Sequence, residues 1–162
     1  MVKGIREILS SDGVFIFESF YFLDQVRNLV FDFTYHEHFT YFTVKPLVRF
    51  FESKGLELID AYRIGTKGGS MRFTIQVKGG LRKATPNINA LIKEEEAMKI
   101  HDANSSCFDE YKAKIAEAKE KAAKKGKTID EDKVDWDPEV YELTPVYQGT
   151  VDSQLFIGSM PP

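Results

Sequence analysis

With 162 residues, 43% of them hydrophobic and 29% charged, and a formal net charge of -3, the chain has the make-up of one ordinary globular domain. That balance excludes the concentrated Lys/Arg surplus of a nucleic-acid binder, and apolar runs such as Val14-Phe15-Ile16-Phe17 are far shorter than the roughly 20 residues of a membrane helix. The single cysteine, Cys107, excludes an intrachain disulfide and makes a reducing cytoplasm the natural compartment.

Charges interrupt Met1 to Glu7, and no signal-peptide core follows, so a soluble, unsecreted protein is expected. Ile5 to Leu9 fits the end of a helix, stopped by the turn cluster Ser10-Ser11-Asp12-Gly13. Val14 to Glu18 is short, apolar and rich in β-branched and aromatic residues, as in a buried strand. From Tyr21 to Val30 the apolar residues recur every three or four positions, which predicts a helix. Thr43 precedes a second helical run through Leu47, Val48, Phe50 and Phe51, and Lys54-Gly55 stops it. Leu56 to Ile64 and Met71 to Val77 are strand-like, joined by the hairpin-like loop Gly65 to Ser70. A long helical stretch spans Ile88 to Lys125, with a break near Asn104-Ser105-Ser106.

Two adjacent strands joined by so short a loop must pair antiparallel, because a parallel crossover needs a dozen residues or more. The order therefore fits an α/β protein: the second half of a Rossmann-like sheet with an antiparallel last strand, then a helical stretch and an irregular tail. Three regions follow, residues 1–110 as the α/β unit, 111–127 as a charged helix, and 128–162 as an acidic linker and tail. The Asp130-Glu131-Asp132 run lacks the spacing of a calcium loop and reads as solvated linker.

The densest chemical signal is Tyr35-His36-Glu37-His38 followed by Phe39-Thr40-Tyr41-Phe42. Imidazole, with an ordinary pKa near 6.5, accepts and returns a proton at neutral pH. A carboxylate beside it can orient it, and a phenol can stabilise charge on a substrate oxygen. From spacing alone the block is equally an aromatic surface loop with incidental histidines. A metal site is weaker, since the third histidine, His101, is distant in sequence. The second signal, Gly65-Thr66-Lys67-Gly68-Gly69-Ser70-Met71-Arg72, offers glycines and cations suited to a phosphate, and reads equally as a plain hairpin turn.

The order of these pieces resembles the SAM-dependent C-methyltransferases that act on nucleotide-linked deoxysugars. The resemblance rests on Ser11-Asp12-Gly13 before a strand ending in Glu18, on Asp32-x-x-Tyr35-His36-Glu37-His38-x-x-Tyr41-Phe42, on Lys54-Gly55-Leu56-Glu57, and on Gly68-Gly69-Ser70-Met71-Arg72, and it spans roughly residues 1 to 110. It implies removal of a proton beside a 4-keto group, after which the enolate carbon takes the methyl of S-adenosylmethionine. By motif position His38 would be the base, supported by Glu37 and Tyr35. His36 and Tyr41 would line the cleft, and Gly68, Gly69, Ser70 and Arg72 would shape the sugar-nucleotide side.

The chain departs from that family in carrying neither a Gly-x-Gly-x-x-Gly after a strand nor a cysteine cluster for zinc. The resemblance thus implies a substrate-side half whose SAM-binding half comes from a partner chain or self-association, with the strand at 14–18 left at an unpaired edge. A non-catalytic module retaining sugar-nucleotide affinity is the alternative expectation.

Overall fold

The computed structural model describes residues 1–30, 40–65 and 69–124, together with the backbone of a short strand at 157–158. The elements are α1 (Val2–Ile8), β1 (Val14–Phe20), α2 (Phe22–Arg27), α3 (Val44–Ser53), β2 (Leu56–Ile64), β3 (Ser70–Val77), α4 (Pro86–Met98), α5 (Ser106–Lys124) and β4 (Ile157–Gly158). The sheet order is β2-β3-β1-β4, and every neighbouring pair is antiparallel. Since β3 runs against both β1 and β2, those two strands point the same way with β3 between them.

Alternation along the strands divides the sheet into two faces. Met71, Phe73 and Ile75 of β3 share one face with Phe15 and Phe17 of β1 and with Leu58 and Ala61 of β2, their register partners. These side chains join one hydrophobic cluster with Ile5 of α1, Leu47 and Phe51 of α3, and Ile88 and Leu91 of α4. Phe17 stacks on Phe73 at 4.8 Å between ring centres and meets Phe51 at 5.9 Å, so the aromatic-rich first half of the chain becomes the middle of the core.

Local chemistry explains the boundaries. In α3, Val44, Leu47 and Phe51 fall on one face and are buried, and Gly55 follows the helix at φ +71, in the left-handed region where a side chain is disfavoured. The hairpin expected between β2 and β3 is present. In β2 a register shift between Leu58 and Asp60 leaves Ile59 as an extra residue, a β-bulge. The bulge moors the start of α4: the Thr85 amide donates to the Ile59 carbonyl, and the Thr85 hydroxyl and Asn87 amide both donate to Asp60 Oδ1.

Three expectations are corrected or refined. The strand at 14–18 does not stand at an unpaired edge, because β1 pairs along its whole length with β3 and, at Val14 and Phe15, with β4 on its other side. Two residues of the tail expected to be irregular are thus strand. The helical break expected near Asn104-Ser105-Ser106 is present and takes in more of the chain: α4 ends at Met98, Lys99 turns left-handed at φ 53, and α5 resumes at Ser106. Finally, α2 is shorter than the Tyr21 to Val30 periodicity predicts, since Leu29 adopts φ 55 and Val30 is buried outside the helix.

The lysine-rich α5 has its expected solvated face, with Glu117–Lys121 and Glu120–Lys124 pairs, and an opposite face where Ala118 and Ala122 are buried. Among the described residues no helix is long and apolar enough to cross a membrane.

Candidate functional site

The turn from β1 into α2 is where the two sequence signals meet. The Tyr21 amide donates to the Gly69 carbonyl at 3.1 Å, and the Phe22 amide donates to the Phe42 carbonyl at 3.0 Å. Gly69 closes the glycine loop, and Phe42 follows the histidine block. The upstream flank of that block is tied to the same helix, because the Val30 amide donates to the Gln25 carbonyl. Tyr35, His36, Glu37, His38 and Gly68 lie outside the described residues, but the chain on either side of the first four, and immediately after Gly68, is anchored to the six-residue α2 or the residue before it.

Of the described candidates, Tyr41 packs its ring against Phe22 at 5.4 Å, tilted by 49°. Gly69 sits at φ +144 against α2, where a Cβ would come within 2.7 Å of the Asp24 Cβ, so glycine is required both by conformation and by the closeness of the helix. Ser70 is buried at the start of β3, in register with Phe20 and Ile64. Arg72 lies two residues further into the sheet, on the face opposite Met71 and Phe73. Its guanidinium donates to the Tyr62 hydroxyl at 3.3 Å and to Glu18 Oε2 at 3.2 Å. Those bonds hold its pKa above the ordinary arginine value. The structure therefore brings Tyr41 and Gly69 to α2, whereas the Arg72 side chain is engaged on the sheet face.

The supporting shell is polar and was not legible as a site. Glu95, fully buried on α4, accepts the Tyr21 hydroxyl at 2.9 Å and the Val44 amide at 2.6 Å through Oε1, and the Lys45 amide at 3.0 Å through Oε2. His101 Nε2 lies 3.5 Å from Oε2 and 3.0 Å from the Thr43 hydroxyl. The first amides of α3, which have no partner within their own helix, are thus served by a carboxylate from another helix, and Thr43 makes no side-chain cap. Burial, with the Glu95 carboxylate beside it, holds the Tyr21 phenol far above its usual range, so it stays a neutral donor.

Next to it, Arg63 donates through Nε to Asp24 at 2.8 Å and in a fork to both oxygens of Glu94 at 3.2 and 2.8 Å, its guanidinium 5.3 Å from the Tyr21 ring centre. Arg27 reaches Glu94 at 2.9 Å. The hydrogen bond from Arg63 is the main reason the Glu94 carboxyl lies below its ordinary range, and Arg27 adds to it against some burial. Gln25 is buried on α2, and its amide nitrogen has no hydrogen-bond partner among the described residues.

The sequence reading placed Lys93-Glu94-Glu95-Glu96 within the helical stretch Ile88 to Lys125 and singled out none of these residues. A usable signal existed: Ile88, Leu91, Glu95 and Met98 follow one helical stripe, so Glu95 sits where the period calls for an apolar residue. Among the described residues no group of three His, Cys, Asp or Glu side chains is placed to hold a metal ion.

Residues 65–133 match the family model described as the C-methyltransferase C-terminal domain, a span that takes in β3, α4 and α5 and continues past residue 110. The C-methyltransferase NovU of Streptomyces niveus is 30% identical over 100 residues, 62% of this chain and 24% of that protein. The chain thus spans about a quarter of the length of the curated relative it matches. By these two matches the chain is similar to C-methyltransferases over part of its length.

Proposed function

We propose that this chain supplies the substrate-side half of a sugar C-methyltransferase, in which His38 removes a proton from the carbon next to the 4-keto group of a nucleotide-linked sugar. One observation carries the reading: Phe42 and Gly69, which border the histidine block and the glycine loop, bond to consecutive amides at the end of β1. Two segments far apart in sequence are thereby anchored to one place, as a base and a sugar-nucleotide contact require. The co-directional β1 and β2 with β3 inserted between them favour a Rossmann-like origin for the sheet.

In this step the C–H bond breaks, the proton passes to the His38 imidazole, and the electron pair moves into an enolate whose charge rests on the former ketone oxygen. Glu37 would orient the imidazole, and Tyr35 and Tyr41 would donate to the developing oxyanion. His36 would line the same cleft. Gly68, Gly69 and Ser70 would shape the nucleotide side, and Arg72 would reach a phosphate only by releasing Glu18 or Tyr62.

The family uses S-adenosylmethionine, and the described residues do not fit it. At the β1–α2 turn the Tyr21 and Phe22 amides are already bonded, with no glycine among Phe20, Tyr21 and Phe22. The β3–α4 connection carries Gly79-Gly80 but no Gly-x-Gly-x-x-Gly. The methyl donor would be bound by a SAM-binding unit other than the described residues, and this chain's own step is the proton transfer.

The test is solvent deuterium incorporation beside the ketone of a dTDP-4-keto-deoxysugar. Wild-type chain should exchange that hydrogen, and His38→Asn should slow exchange by on the order of 100- to 10,000-fold; equal rates would remove the assigned base. Calorimetry should find sugar-nucleotide binding with weak or no SAM binding, and tight SAM binding by the chain alone would contradict the division of labour. Sugar-nucleotide binding without any exchange would favour the non-catalytic module.

A further inference from the structure

We infer that Glu95 is a positioning residue for the deprotonation step, fixing the downstream anchor of the segment that carries His38 by locking the first turn of α3 against Tyr21. The inference rests on the reading of His38 as the base. Its ground is the geometry of one carboxylate shared by three elements: the Tyr21 hydroxyl at the end of β1 and the Val44 and Lys45 amides at the start of α3 all donate to Glu95 of α4. Residues 40–42 run directly into that cap, and the Phe42 carbonyl is bonded to the residue after Tyr21.

A helix start ordinarily takes its cap from its own Ser or Thr. Thr43 stands in the right place, yet its hydroxyl is engaged with His101 instead. Burying a carboxylate is costly unless every oxygen is satisfied, and a local cap would avoid that cost. What the local cap would not do is tie α3 to β1. Glu95 does so, with each oxygen holding one α3 amide and Oε1 also holding Tyr21. The position of the chain entering α3 is therefore referenced to the same residue, Tyr21, that receives the glycine loop through Gly69.

The experiment uses the full chain and three variants. Glu95→Gln keeps the shape but replaces one acceptor oxygen with a donor, so one of the three bonds is lost. Tyr21→Phe removes only the link to β1. Ile88→Val, in the core on the same helix, is a mild destabiliser that touches none of these atoms. Deuterium incorporation into the sugar, measured on the folded fraction, should fall on the order of 10- to 100-fold in kcat for Glu95→Gln with KM little changed, less for Tyr21→Phe, and not at all for Ile88→Val. Amide hydrogen exchange should rise selectively at 40–45 in Glu95→Gln. Equal losses in Glu95→Gln and Ile88→Val would mean general destabilisation and overturn the inference, as would unchanged kcat in Glu95→Gln. If wild-type chain exchanges no sugar hydrogen, the functional reading falls by itself. The amide arm then decides the anchoring claim, which unchanged protection at 40–45 in Glu95→Gln would overturn.

Discussion

The middle of the sheet and its rim at the β1–α2 turn are built on different physics. In the middle, Phe73 is fully buried between the Phe15/Phe17 and Leu58/Ala61 strands, and cohesion comes from apolar area and ring contact. At the rim, Tyr21, Asp24, Arg63, Glu94 and Glu95 are held by directed bonds between 2.8 and 3.2 Å. Apolar burial is forgiving of small shifts, whereas a shared carboxylate tolerates few. The contrast suits a scaffold whose middle supplies stability and whose rim supplies geometry.

Three measurements sharpen or break that contrast. The largest effect is expected for Phe73→Ala, which removes a fully buried ring from the central strand and should cost about 3–5 kcal/mol in chemical denaturation; a loss below 1 kcal/mol would deny the middle its role. Gly69→Ala comes next, at about 1–3 kcal/mol, because the backbone stands at φ +144 and the new methyl meets Asp24. An unaltered denaturation midpoint there would mean that the glycine loop does not close on α2.

The smallest effect concerns pH. Glu94 is held below its ordinary value near 4.5, so its ion pairs contribute stability above that pH and lose it as pH falls through the lowered folded value. Both Glu94 and Arg63 are more than a third exposed, and screening limits the effect to under about 1 kcal/mol. Melting temperature should therefore decline less steeply below pH 4.5 in Glu94→Gln than in wild type, and parallel curves would remove this contribution.

Most of the fold was legible because periodicity and punctuation agreed. β2 was read residue for residue as Leu56 to Ile64, and Gly55 marked the end of α3 through its positive φ. The early end of α4 was not legible, since a left-handed lysine at position 99 carries no compositional signal. Pairing of β1 with residues 157–158 was hidden for a related reason: two residues give no period to read. At the site, the glycine loop and the block ending at Phe42 were visible as pieces, but their meeting at Tyr21 and Phe22 is a tertiary fact. Tyr21 itself looked like the first apolar residue of a helix, and Glu95 like one more residue of the long helical stretch.

The bulge at Ile59 gives the architecture a datum. Because the Ile59 carbonyl and the Asp60 carboxylate grip Thr85 and Asn87, the helix that follows is measured off from a kink in β2, and its buried carboxylate arrives at Tyr21 at a set number of turns from that point. Each residue added between Asn87 and Glu95 would rotate the carboxylate by about 100° around the helix axis and carry it off its three donors. Evolution can lengthen the connection before Thr85 far more freely than the first two turns of the helix after it.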